Sequence, residues 1–250
     1  MDPMRILYIR PVADSSHAMD ISAVLQEAAR SDTTVDVVSL SKDRPRHLEY
    51  HAYEAIAVAD IVKHVRAAAN KYDGIVLGGF YDMGLLAARE ISGDTIVTAP
   101  CESATAMARS LGQRFSILVG RAKWIPRMTD TVHHYGHARA LCSMRAIDMT
   151  VTAIRNDSDK TLEKLTEQGH LAVEDDGAEV IILGCTAKHG LYKTLGNRIG
   201  VPVIDSMVAA LKYAEFLAEC KTRFGWRPSR VGGSEPPPEQ EIQTWGLFRP

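Results

Sequence analysis

Short apolar runs alternate with longer stretches of helical spacing along nearly the whole chain, and this pattern narrows the fold more than any other feature. The runs Met4–Ile9, Thr34–Leu40, Gly74–Gly78, Thr95–Ala99, Phe115–Val119, Glu179–Gly184 and Val201–Ile204 read as strands. Helical spacing covers 18–29, 53–70, 85–91, 103–111, 125–135, 159–175, 188–195 and 207–219, with Asp157 or Ser158 as a cap for the sixth. Arg145–Thr152 is an ambiguous strand. Strand followed by helix, many times over, predicts an α/β fold with parallel sheet. Runs without strict alternation fit strands covered on both faces. The first segment, Met1–Val12, reads as a strand rather than a signal peptide, having no long apolar core.

Composition removes several classes of function. With 46% apolar and 24% charged residues in 250, the chain is neither disordered, collagen-like nor a coiled coil. A net charge of −2 argues against nucleic acid as a partner. No apolar stretch is long enough for a membrane span, and the expected location is the cytoplasm. Four cysteines, Cys101, Cys142, Cys185 and Cys220, lie too far apart for zinc-ligand spacing, and a disulfide framework is not expected. His133, His134 and His137 have metal-like spacing but no accompanying carboxylate, and read as a polar helix face. No G-x-G-x-x-G follows a strand, which argues against a dinucleotide cofactor.

One internal echo organises the rest. Leu77-Gly78-Gly79-Phe80-Tyr81-Asp82-Met83-Gly84 aligns with Leu183-Gly184-Cys185-Thr186-Ala187-Lys188-His189-Gly190, each after an apolar strand. Two similar halves with equivalent loops would explain it, and in open α/β sheets ligands bind at the carboxyl ends of strands, where such loops lie. Cys185 reads as standing directly before a helix. Free backbone N–H groups there would favour thiolate over thiol. The alternative is a cysteine that merely ends a strand.

The segments GIVLGGFYDMGLLAARE (74–90), APCESATAMA (99–108), RFSILVG (114–120), EDDGAEVIILGCTAKHG (174–190) and GVPVIDSMVAALKYAE (200–215) resemble the cofactor-independent aspartate/glutamate racemase superfamily, most of all its hydantoin and allantoin racemase branch. The resemblance implies two similar parallel-sheet subdomains related by a pseudo-twofold axis, with the active site in the cleft between them. The expected division is 1–95 plus 205–223, then 96–204, with 224–250 an extended Pro/Gly-rich tail: either a disordered end or, since Trp226, Ile242, Trp245, Leu247 and Phe248 are costly to leave in water, a tail wrapping the domain or a partner subunit. It also implies a small-molecule substrate, a homo-oligomer, no metal and no cofactor.

In racemases of this family two cysteines face each other across the substrate and exchange a proton at the carbon beside a carbonyl. This chain keeps the second as Cys185, whereas Gly79 stands where the first belongs. Three explanations stay open. Tyr81, Asp82 or Cys101 replaces the missing thiol. Or one thiol suffices, as in arylmalonate decarboxylases of the family, which show this Gly-and-Cys pattern. Or the chain binds ligand without catalysis. The resemblance places Pro11, Val12, Phe80 and Gly120 beside the substrate as well. Arg10 falls where an asparagine is usual and could clamp a carboxylate, unless it is an ordinary surface arginine. Thr186 could hydrogen-bond substrate. Lys188 and His189, in the first turn of the expected helix, either tune the thiol or are solvated.

Overall fold

The structure is a computed structural model that describes residues 3–13, 18–186 and 189–248. The elements run β1 (Met4–Arg10), α1 (Ala18–Ala28), β2 (Thr33–Ser39), α2 (His51–Ala68), β3 (Gly74–Leu77), α3 (Leu85–Ile91), β4 (Ile96–Thr98) and α4 (Pro100–Leu111). They continue with β5 (Phe115–Val119), α5 (Ile125–His134), β6 (Leu141–Ala146), α6 (Val151–Asn156), α7 (Ser158–Glu174), β7 (Val180–Leu183), α8 (Tyr192–Ile199), β8 (Val203–Asp205), α9 (Ser206–Phe224) and α10 (Glu239–Thr244).

The strands form two four-stranded parallel sheets, ordered β2-β1-β3-β4 and β6-β5-β7-β8, with helices flanking them: an α/β fold. The second order repeats the first. The echoed segments follow β3 and β7, the third strand of each set, and their closing residues Gly84 and Gly190 both take left-handed backbone, φ 75° and 80°. The echo therefore reflects equivalent places in one topology.

Contacts divide the chain into two units, one of 1–77, 83–98 and 211–250, the other of 78–82 and 99–210. The expected division before residue 96 cut off β4, which pairs with β3 (Gly74 opposite Ile96) and so belongs to the first unit. In the first unit Ile6, Ile9, Ile61, Ile75 and Leu77 are fully buried; in the second, Phe115, Ile117, Leu118, Ile181 and Leu195. Each such side chain contributes about 1.5–3 kcal/mol of burial. Among the described residues, no helix is long and apolar enough to cross a membrane.

Several elements differ from the sequence reading. The segment 145–152 is not one strand: β6 ends at Ala146 and α6 begins at Val151, capped by the Thr150 side chain accepting from the Ala153 amide at 3.2 Å. β6 is half-buried throughout, as befits an edge strand, so its apolar signal is weak. The helix expected at 188–195 begins only at Tyr192, with left-handed Gly190 before it. The tail is not extended throughout. Pro238 precedes α10, whose first turn carries Glu239 and Glu241, suited to a helix N-terminus, and Ile242 is buried.

Candidate active site

In each sheet the order reverses between the first and third strands of the set, and the carboxyl ends of those strands are where an open α/β sheet binds ligand. In the second unit these are β5 and β7. Leu118 lies opposite Leu183, and the Gly184 amide donates to the Leu118 carbonyl at 2.8 Å. That register carries Gly120 and Cys185 past the sheet edge side by side. Both line a small apolar cavity of about 20 Å³ with Leu118, Leu183, Ile147 and Ile154. Cys185 is half-buried, packed on one side against the core of this unit. A side chain at 120 has no room: an added Cβ would meet the Met149 carbonyl oxygen at 3.0 Å and Ile154 Cδ1 at 3.1 Å.

The helix-terminus argument for Cys185 needs correction. With α8 starting at Tyr192, neither Cys185 nor His189 lies in its first turn, and Lys188 falls outside the described residues. The segment after Cys185 is anchored differently. Buried Asp205 accepts from the amides of Gly190 (3.2 Å), Met207 (3.0 Å) and Val208 (3.3 Å), joining this loop to the start of α9. Burial raises the Asp205 carboxyl, while those amides and the charge of His189 pull it down. Ser206 Oγ donates to the Leu183 carbonyl at 2.7 Å and fixes the end of β7. Sequence reading passed over Asp205 and Ser206, although an Asp immediately before a helix is a capping signal. Thr186 forms a turn directly after Cys185 and is half-buried.

The loop carrying Gly79 belongs to this same unit. It closes as a turn, the Asp82 amide donating to the Gly79 carbonyl at 2.9 Å. Phe80 is buried. Tyr81, also buried, stacks on Trp124 with centroids 4.9 Å apart and planes within 8°. Asp82, with φ 55°, accepts from the amides of Cys101 and Glu102 and from Tyr135 Oη, each at 2.8 Å. It thereby caps α4, whose own N-cap, Ala99, has no side-chain acceptor. Burial lifts the Asp82 carboxyl to about 7 against the pull of these three donors, and Glu102 adds to the rise. Burial, then Asp82, pushes the Tyr135 phenol up as well.

Cys101 sits in the first turn of α4 with no exposed surface. Burial, Asp82 and Glu102 push its thiol well above the usual range. A thiol held neutral and enclosed is a poor proton carrier.

Arg10 ends β1 in the first unit and Pro11 and Val12 follow it, all three buried. Arg10 is thus no surface arginine: it is 2% exposed and donates to Ser39 Oγ at 3.0 Å. Of the three histidines, His137 meets the Phe115 ring edge-on and burial lowers its pKa. Among the described residues, no group of three His, Cys, Asp or Glu side chains could hold a metal.

Two topologically equivalent parallel-sheet units, with a half-buried thiol at the strand edge where one of them would bind ligand, define a class of α/β protein suited to small molecules. The Asp/Glu/Hydantoin racemase family matches residues 6–214, and the chain belongs to that family. A hydantoin racemase of Rhizobium meliloti is 33% identical over 217 residues, 86% of this chain and 88% of its own. The allantoin racemase from Klebsiella pneumoniae has a similar structure, with TM-score 0.86, 30% identity and 94% of each chain covered. Unliganded arylmalonate decarboxylase shares the fold at TM-score 0.60 and 20% identity, over 86% of this chain and 92% of its own.

Proposed function

We propose that the chain catalyses proton transfer at the carbon beside a carbonyl in a hydantoin-type small molecule, with Cys185 as the acid/base. The observation that carries this reading is the place of Cys185, half-buried at the carboxyl end of β7 and beside Gly120. The thiolate Sγ takes the proton, the C–H electron pair becomes the C=C bond of an enolate, and the carbonyl oxygen gathers the charge. Backbone N–H groups near a strand edge are suited to that oxyanion. Return of a proton to the opposite face completes racemisation, the activity named for the hydantoin and allantoin relatives.

Gly79 favours a second reading. A glycine carries no proton, and its neighbours are engaged otherwise: Tyr81 is stacked on Trp124, Asp82 caps α4, and Cys101 is enclosed. An enzyme with one thiol serves one face. In that case a malonate-type substrate loses CO2, the C–C electron pair forms the enolate, and the Cys185 thiol delivers its proton to carbon.

The test is incubation in D2O with single enantiomers of 5-substituted hydantoins and with substituted malonates, followed by NMR and chiral chromatography. Deuterium uptake with loss of optical purity supports racemisation. Uptake with retention, or CO2 release with one deuterium gained stereospecifically, supports the one-thiol reading. Cys185→Ser should lower either rate about 10²–10⁴-fold, the usual contribution of a positioned acid/base, with the melting temperature unchanged. Full activity in that variant refutes both readings.

A further inference from the structure

From the end of α9 onward the first unit gathers apolar side chains in solvent. Phe224, Trp226, Val231, Trp245 and Leu247 are all exposed, Trp226 at 67%. Single exposed apolar residues are ordinary, but a run of them within one short segment marks an interaction surface. The segment is nevertheless seated on its own unit. Ile242 is buried, Glu239 pairs with Arg66 of α2, and Arg230 donates to the Arg89 carbonyl at 2.6 Å. The Phe224 and Trp226 rings lie 5.2 Å apart, a ready-made aromatic pair. Between this segment and helices α2 and α3 runs a groove of about 500 Å³, with Ile91, Ile242 and Pro236–Pro238 in its walls. The backbone at Glu235 and Pro238 is polyproline-like, φ −63° and −59° with ψ 128° and 126°. Stiff proline segments meet aromatic rings at little conformational cost, and the groove has room for an indole. Glu90 and Asp94 line it too. Among the described residues neither carboxylate is in an ion pair, and Lys221 donates to the Asp94 carbonyl instead. Arg227, next to Trp226, is in no ion pair among them either.

We infer that this groove receives Trp226 of a second copy of the chain, that the second copy's Arg227 meets Glu90 and Asp94, and that the exchange is reciprocal about a two-fold axis. The two sides of the fit complement each other: an aromatic knob with a cation beside it, and an apolar groove holding carboxylates. Both sides belong to the same unit, and Arg230, in the groove wall, is only four residues from Trp226. A two-fold axis near this stretch brings each knob to the other copy's groove, as a self-complementary interface requires. Tryptophan and arginine are also the side chains that most often carry the energy of an interface. The inference is independent of the reaction proposed above.

Sedimentation velocity of the full chain over a wide concentration range tests it. The wild type should run as a dimer or a multiple of one. Trp226→Ser should weaken the two-fold association about 30-fold or more, the effect of removing a central anchor. Arg227→Glu should weaken it as well, and so should a chain carrying both Glu90→Lys and Asp94→Lys, because each variant sets like charges against each other across the axis. Mixing these last two proteins should restore the association, since both contacts of the mixed pair are again opposite in sign. The recovery should diminish as salt is raised. Misfolded variants would not recover on mixing, so the mixture also controls for folding. A wild type that stays monomeric leaves the groove to another occupant and overturns the inference. So does a wild-type mass in Trp226→Ser and in both charge variants, or a mixture that stays as dissociated as its components.

Discussion

Asp82→Asn isolates a single charge at a buried point of the candidate site. The backbone at Asp82 is left-handed, φ 55°, and asparagine tolerates that region, so the substitution adds no strain. What changes is the titrating group. The Asp82 carboxyl is raised to about 7 in the folded chain, whereas an unfolded aspartate titrates near ~3.9. Between those values the folded state holds a proton that the unfolded state has lost. The resulting stabilisation is complete below about pH 4 and is lost as pH rises through about 7. Linkage puts the whole effect at about 4 kcal/mol, of which about 3 kcal/mol falls between about pH 5 and pH 8. Asparagine has no such term, and the slopes of all other groups cancel between the two proteins. Urea denaturation followed by circular dichroism should therefore show the wild type losing about 3 kcal/mol relative to Asp82→Asn over that range. A difference that stays constant with pH would refute the reasoning. It would mean that the Cys101 and Glu102 amides and the Tyr135 hydroxyl hold Asp82 ionised throughout, and that hydrogen bonding outweighs burial here.

Other perturbations test neighbouring claims. Gly120→Ala places a methyl 3.0 Å from the Met149 carbonyl oxygen, and should cost about 1–3 kcal/mol, read as a lower melting temperature together with slower deuterium exchange at substrate. Asp205→Ala strips the acceptor from Gly190, Met207 and Val208. It should cost about 1–2 kcal/mol as a lost cap, with Asp205→Asn recovering part. Cys101, enclosed and held as a thiol, should resist iodoacetamide in the native protein, and Cys101→Ala should leave deuterium exchange unchanged.

What could be read from sequence depended on how local the determining physics is. The buried strands β1, β3, β5 and β7 announce themselves as apolar runs, and the repeated LGG and LGC segments fall after equivalent strands. β6 was misplaced because Leu141–Ala146 lies at a sheet edge and is half-buried, so neither continuous apolarity nor clean alternation marks it. The short helix α10 follows three prolines in a segment without a clear helical period, and Ile242 alone supplies its buried contact point. At the site, Cys185 and Gly79 were visible from local motifs. The link from Asp82 to the first turn of α4 was not, because it joins residues distant in sequence and only folding brings them together. The helix supposed to start at Lys188 failed for the opposite reason: helical spacing continued across Gly190, where the backbone turns left-handed.

The repeated strand order has an evolutionary consequence. Each four-stranded set follows its third strand with a short loop, and the two loops need not change together. A lineage can exchange glycine for cysteine in one copy by a single codon position while the other copy keeps the thiol it already has. On the function proposed above, the loop after β3 is then a position where the handedness of a product can be gained or surrendered without a change of strand order.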